Sequence, residues 1–179
     1  MILISSAIII FANSLPSLTL DLLLNNTVSV AVGVVAIIAI DGLSALIIRR
    51  LFPKSLFAPD VKIFRVSKKE HRFYNLFAIK RWKDKVPELG LFTGFDKGSV
   101  KSVGDKEYLE RFLLEANYGV IIHLANGVLG FLILFIPMCS APSIWIPIFA
   151  INLILSLMPF AILRYNTYIL YRLYLRSKK

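Results

Sequence analysis

The sequence predicts an all-α integral membrane protein, with about four transmembrane helices and an interfacial cytoplasmic helical insertion between the second and third. Three observations carry this. Apolar residues make up 57% of the chain, above the roughly 45–50% of soluble domains, and mean hydropathy is +0.71. The excess gathers into stretches near the ~20 residues that a bilayer crossing needs. Charge is segregated as well: of 21 Lys and Arg, 16 lie in residues 49–111 and the remaining 5 in residues 164–179.

The first candidate span is residues 2–24, interrupted by Asn13, Pro16 and Asp21. Membrane helices accept a proline where neighbours satisfy the freed carbonyl, so a kinked or re-entrant course is the alternative to a full crossing. The stretch lacks the basic n-region of a signal peptide and is read as a retained span. Asn25 and Asn26 predict a turn. A second span, 27–48, follows, broken only by Asp41 and stopped at Arg49 and Arg50.

Residues 50–118 form the basic segment. Ser67 with Glu70 three residues on makes a capping box, which predicts a helix over 68–85. Its interleaved aromatic residues (Phe73, Phe77, Trp82) and cations suit a helix lying in the membrane interface. Pro87 and Gly90 end it. Asp105 is positioned to cap another helix that has no breaker before Gly119 and so runs on into the third span, 119–138. Residues 139–143 connect to the fourth span, 144–163, with Trp145 at one interface and Tyr165 and Tyr168 at the other. Placing the basic stretches inside gives one membrane domain over 1–179 in the cell membrane, with both termini, the 50–118 segment and the 164–179 tail cytoplasmic.

A net charge of +10 raises two partner classes, nucleic acid and anionic lipid. Because the cations flank apolar spans, membrane lipid headgroups are the expected partners and nucleic acid is not. The single cysteine, Cys139, excludes an intrachain disulfide and a cysteine zinc site. The chain has no glycine-rich phosphate loop, no metal-spaced ligand cluster and no Gly-x-Ser-x-Gly elbow. Neither a metal nor a resident cofactor is expected, and hydrolase and kinase readings have no support in the residues.

The residues best suited to chemistry lie along the third span. Glu115, Gly119, His123, Asn126 or Gly127, and Gly130 recur at spacings of three and four, which lines them on one helix face. Two readings of this stripe stand level: an active-site floor, or a glycine packing seam with a hydrogen-bonded histidine. His123 suits general-base work on a hydroxyl. Asp41 could orient its imidazole if the second and third helices pack, or serve as a protonated interhelical donor. Asn152 reads as a packing contact. Lys80, Arg81 and Lys83, with Trp82 as anchor, could grip the phosphates of an acyl donor, although general headgroup attraction explains the same residues.

Several motifs together resemble the glycosyl-4,4′-diaponeurosporenoate acyltransferase family. They are Phe64, Glu70, Arg72-Phe73-Tyr74, and the run Ile79-Lys80-Arg81-Trp82-Lys83-Asp84-Lys85-Val86-Pro87. Tyr108 to Phe112 leading to Glu115 and His123 belongs with them, as does Arg164-Tyr165-Asn166. The resemblance covers roughly residues 50–170. It implies transfer of a fatty acyl chain to a sugar hydroxyl of a glycosylated carotenoid in bacterial membranes; the function expected here is the broader one, transfer from an activated donor, acyl-CoA or an acyl carrier protein, to a hydroxyl of a lipid-linked sugar or glycolipid. In the mechanism expected here His123 deprotonates the hydroxyl, with Glu115 or Asp41 holding the imidazole; Lys80, Arg81 and Lys83 position the anionic donor, Trp82 anchors the segment, and Asp84, Arg164 and Asn166 are further substrate-binding candidates. The chain departs from the pattern at His71, in a usual glycine place, and at Asn117, Tyr118 and Val120, where arginines and a second acid are expected. Thr167 replaces a basic residue. The alternatives are a non-catalytic small subunit packed on another membrane protein, or a different lipid-modifying enzyme.

Overall fold

A computed structural model of the chain describes residues 2–14, 20–86 and 105–178, and among them no strand occurs. The elements are α1 (Ile2–Ser14), α2 (Leu20–Leu51), α3 (Lys68–Leu76), α4 (Ile79–Trp82), α5 (Lys106–Leu129) and α6 (Pro142–Ser177), joined in part by short 3-10 turns. Among the described residues three helical stretches are long and apolar enough to cross a membrane: Leu20–Leu51, Lys106–Phe135 and Pro142–Ser177. Many of their large apolar side chains are exposed, Val35, Ile38, Val128 and Ile154 among them. Lipid rather than protein is the natural cover for such faces.

The N-terminal boundaries differ from expectation. The stretch 2–24 is not one element: α1 spans 13 residues, ~20 Å at 1.5 Å per residue, short of the ~30 Å hydrocarbon core. Residues 20–24 already belong to α2, and Asn25 and Asn26 lie inside it rather than in a turn. Asparagine's turn preference is weak against an environment in which every backbone group must bond internally. The side chains there also find helical partners. Asn26 donates to Ser14 Oγ at 3.2 Å and Thr27 Oγ1 to the Leu23 carbonyl at 2.7 Å. Pro16 lies outside the described residues.

The helix expected over 68–85 is also divided. Ser67 caps α3 by accepting from the Glu70 N–H at 3.1 Å, so the start falls where the capping signal put it. The chain then turns at Ala78, which has φ 49°, a left-handed value that costs an alanine where glycine would be at ease. This breaks the run into α3 and α4, and the break swings Ile79 and Trp82 onto the α6 surface, where they pack with Ile162 and Tyr165. Pro87 and Gly90 lie outside the described residues. Asp105 caps α5 as expected, its Oδ1 accepting from the Tyr108 N–H at 3.1 Å, and α5 continues unbroken past Gly119.

The helices form two compact units. The first comprises Met1–Leu46 with Leu124–Ser156, and the second Ile47–His123 with Leu157–Lys179. In the first unit Ile9, Val30, Ile133, Ile144 and Ile148 make the core. Gly130 lets α6 approach so closely that a methyl there would collide with Asn152. Asn152 in turn donates to the Asn126 carbonyl at 3.0 Å, and Ser44 hydrogen-bonds the Asn126 side chain. In the second unit Leu109, Phe112, Leu113, Leu170 and Tyr174 pack α5 on α6. There a Cβ on Gly119 would lie 2.7 Å from Leu163 Cδ1.

Candidate functional site

The second unit holds two well-made ion pairs and an apolar groove. The first is formed by Arg49 at the end of α2 and Glu115 on α5, with Arg49 Nη2 2.7 Å from Glu115 Oε2 and Nη1 donating to Oε1 at 3.4 Å. The Arg49 guanidinium also lies 4.9 Å from the centroid of the Tyr118 ring. Tyr118 stacks on Phe57 with centroids 4.0 Å apart, and Asn117 Nδ2 donates to the Phe57 carbonyl at 2.9 Å. Asn117 and Tyr118 therefore fix the Phe57 turn and seat Arg49.

The second pair joins Glu70 of α3 to Arg164 of α6. Arg164 Nε and Nη2 both reach Glu70 Oε1, at 2.8 and 2.7 Å, and Nη1 donates to the Ile63 and Phe64 carbonyls at 3.1 and 3.3 Å. The Arg164 side chain is only 11% exposed. Glu70 thus stabilises its helix twice over, giving its N–H to the Ser67 cap and its carboxylate to α6. Beside it, His71 is sandwiched between Tyr165 and Tyr168, with ring centroids at 4.6 and 4.3 Å. Burial pushes the His71 pKa down, against a backbone hydrogen bond to Tyr165 that pulls it up. Burial likewise raises the Tyr74 hydroxyl, which also feels the Glu70 charge.

The same unit has an open apolar cavity of about 220 Å³. Ile48 and Phe52 enter it from the end of α2, and Leu56, Phe57, Ile63 and Phe64 from the turns that follow. Ile121 closes it from α5, two residues before His123.

A family model described as glycosyl-4,4′-diaponeurosporenoate acyltransferase matches residues 53–176. The chain belongs to the glycosyl-4,4′-diaponeurosporenoate acyltransferase family. No curated protein and no solved structure matches it. The family match begins just after α2 and takes in both α3 and α4, all of α5 and α6 to its last turn. It includes Glu70, Glu115, His123 and Arg164 and leaves out Arg49 and Asp41.

The residues singled out in the sequence fall as follows. His123 is half-buried on α5 in the second unit, while Asp41 lies in the first, its Oδ1 buried without a hydrogen-bond partner among the described residues. Lys80 and Arg81 are exposed on α4. Lys83 is half-buried, 3.4 Å from Asp84 Oδ1. Trp82 turns inward, its Nε1 donating to the Phe77 carbonyl at 2.9 Å, whereas Phe73, Leu76 and Phe77 stay exposed at 53, 82 and 58%. Asn166 is half-buried on α6. The glycines of the α5 stripe are consumed by packing within each unit, Gly119 against Leu163 and Gly130 against Asn152. The groove was not read from the sequence. Its signal was present in the apolar residues Phe52, Leu56, Ile63 and Phe64, spaced through a segment whose charge drew attention instead.

Proposed function

We propose that this family member is a membrane O-acyltransferase that moves a fatty acyl group from an activated donor to a hydroxyl of a lipid-linked sugar or glycolipid, a glycosylated carotenoid being the acceptor the family suggests. The observation that carries the reading is the family match over 53–176, because every candidate residue inside it, from Glu70 to Asn166, belongs to the second unit.

In this reading His123 takes the proton from the acceptor hydroxyl. The hydroxyl oxygen attacks the thioester carbonyl carbon, an ester C–O bond forms as the C–S bond breaks, and the imidazolium returns its proton to the departing thiolate. Glu115, eight residues and ~12 Å along α5 from His123, is a fixed anion held by Arg49 and favours the transient positive charge on the imidazole. Lys80, Arg81 and Lys83 attract the phosphate-bearing carrier of the donor, an acyl-CoA or an acyl carrier protein, with Asp84 at their edge. Trp82 anchors α4, and Arg164 acts as a positioning residue. The basic stretches lie on the cytoplasmic side with the C-terminus, in keeping with the positive-inside pattern.

The experiment is lipid profiling of cells carrying the wild-type chain or His123→Ala. General-base catalysis supplies ~10²–10⁴-fold, so the acylated product should fall by that order while the variant still inserts and purifies normally. Near-wild-type product from a folded His123→Ala protein would remove the mechanism. An unchanged lipid profile on deletion of the gene would favour a non-catalytic subunit.

A further inference from the structure

At 3.6 residues per turn helix α3 has three sides. Glu70, His71 and Tyr74 form the first and are half-buried on α6. Glu70 pairs with Arg164, His71 stacks between Tyr165 and Tyr168, and Tyr74 joins the cluster of Ile79, Ile162 and Tyr165. Lys68, Arg72 and Asn75 form the second side, and all three are exposed. The third carries Phe73, Leu76 and Phe77, which are 53, 82 and 58% exposed, with the Phe73 and Phe77 ring centroids 5.0 Å apart. Lys69 lies in the same row, one turn before Phe73, where a lysine stem can cover apolar surface and still keep its charge in water. The acid of α3, Glu70, is spent on Arg164, so neither exposed side carries a negative charge. Trp82 packs on the Ile162 and Tyr165 cluster and is no part of this face.

We propose that the Phe73, Leu76 and Phe77 face of α3 is buried in the lipid leaflet and that Lys68, Lys69 and Arg72 select anionic headgroups around it. The contacts on the docked side set the depth. No charged residue occurs between Glu115 and Arg164, so Arg164 marks the level at which the apolar run of α6 leaves the hydrocarbon core. Glu70 is bonded to that arginine at 2.7 Å, and His71 is held by tyrosines one and four residues further on. At that level a helix with an apolar side next to a cationic one inserts ~5–10 Å into the headgroup boundary and favours anionic lipid. The proposal stands apart from the acyltransfer reading, since it uses neither His123 nor the groove.

The test uses the full-length protein in nanodiscs of phosphatidylcholine with a minority of phosphatidylglycerol. In a Cys139→Ser background an environment-sensitive nitrobenzoxadiazole label is placed at Leu76→Cys, or at Asn75→Cys on the neighbouring polar side. Leu76 is 82% exposed, so its replacement leaves the packing intact, and Phe73→Cys gives a second reporter on the same face. Label at 76 or 73 is expected to emit blue-shifted and to be quenched by lipids carrying a nitroxide near the top of the acyl chain. Label at 75 should keep aqueous emission and be quenched by iodide instead. At equal low mole fraction, nitroxide phosphatidylglycerol should quench position 76 about fivefold more efficiently than nitroxide phosphatidylcholine, the preference that ~1 kcal/mol per surface cation gives one headgroup. Lys68→Gln, Lys69→Gln and Arg72→Gln combined should bring that ratio near one and leave quenching by phosphatidylcholine in place. Aqueous emission at both 76 and 73 overturns the insertion. So does shielding of both positions from iodide and nitroxide lipid alike, because a protein partner or a second copy would then cover the face. A ratio near one before the substitutions, or one that survives them, overturns the selection of anionic headgroups by these cations.

Discussion

Replacing Arg164 by leucine removes more than a charge. Its guanidinium makes two contacts to Glu70 Oε1 and two to the carbonyls of Ile63 and Phe64. Breaking a fully buried pair costs ~3–5 kcal/mol and a solvent-exposed one about 0–1. The side chains here are 11% and 29% exposed, so the loss of the pair alone should fall near 2 kcal/mol, between those limits. The two carbonyls add about 1 kcal/mol or more, since at least one is partly buried and loses its donor. A total of roughly 3 kcal/mol should lower the melting temperature by about 6–12 °C for a chain of this size. Differential scanning fluorimetry of the detergent-purified protein measures this. Glu70→Gln should cost about 1 kcal/mol, because an amide oxygen still accepts from Arg164. Exchanging the two residues, Glu70→Arg with Arg164→Glu, should fail to restore stability, since a carboxylate at 164 would face two carbonyls it cannot serve. A melting point within about 2 °C of wild type for Arg164→Leu, or a coupling below ~0.5 kcal/mol in the Glu70/Arg164 double-mutant cycle, would refute the claim that this pair braces the groove wall.

Three further outcomes are expected. Gly130→Ala should destabilise by about 1–3 kcal/mol through overpacking against Asn152, whereas Gly42→Ala, where an added methyl meets nothing within 4 Å, should be neutral or gain up to ~1 kcal/mol from helix propensity; equal melting points for the two would dissolve the packing-seam reading. The lowered pKa of His71 means that the fold prefers the neutral ring, so its contribution is complete above the unfolded value of about 6.5 and is lost as pH falls below that value toward the folded one. His71→Phe should keep the Tyr165 and Tyr168 stacking and flatten the wild-type loss of melting temperature between about pH 7.5 and 5.5, and an unchanged slope would exclude His71 as its source. In a Cys139→Ser background, a cysteine at 85 should resist an impermeant maleimide applied to intact cells while one at 140 reacts; the reverse would invert the topology.

The all-helical membrane class was legible because length and hydropathy are summed properties of long stretches, and the Ser67 and Asp105 caps because each rests on a local hydrogen bond. Two boundaries were not legible. Asn25 and Asn26 look like a turn by propensity, yet the apolar surroundings of α2 reward continuing the helix. Ala78 carries no sign of a left-handed turn, because the break there is enforced by Ile79 and Trp82 docking on α6, a tertiary effect that overrides local preference. In the site, spacing put Glu115 and the glycines on one stripe, whereas in the structure Glu115 meets Arg49 of α2 and Gly119 and Gly130 meet Leu163 and Asn152 of α6. Spacing gave no hint that Arg49 would pair with Glu115 across 66 positions of sequence, or Arg164 with Glu70 across 94.

Those pairings change what the polar stripe means. Gly119 and Gly130 are spent on close helix approach, Asn126 and Asn152 on each other, and Glu115 on Arg49, so most of the stripe is explained by packing and charge balance within the units themselves. A glycine face left open would have favoured docking onto another membrane protein, and these glycines are covered from inside the chain.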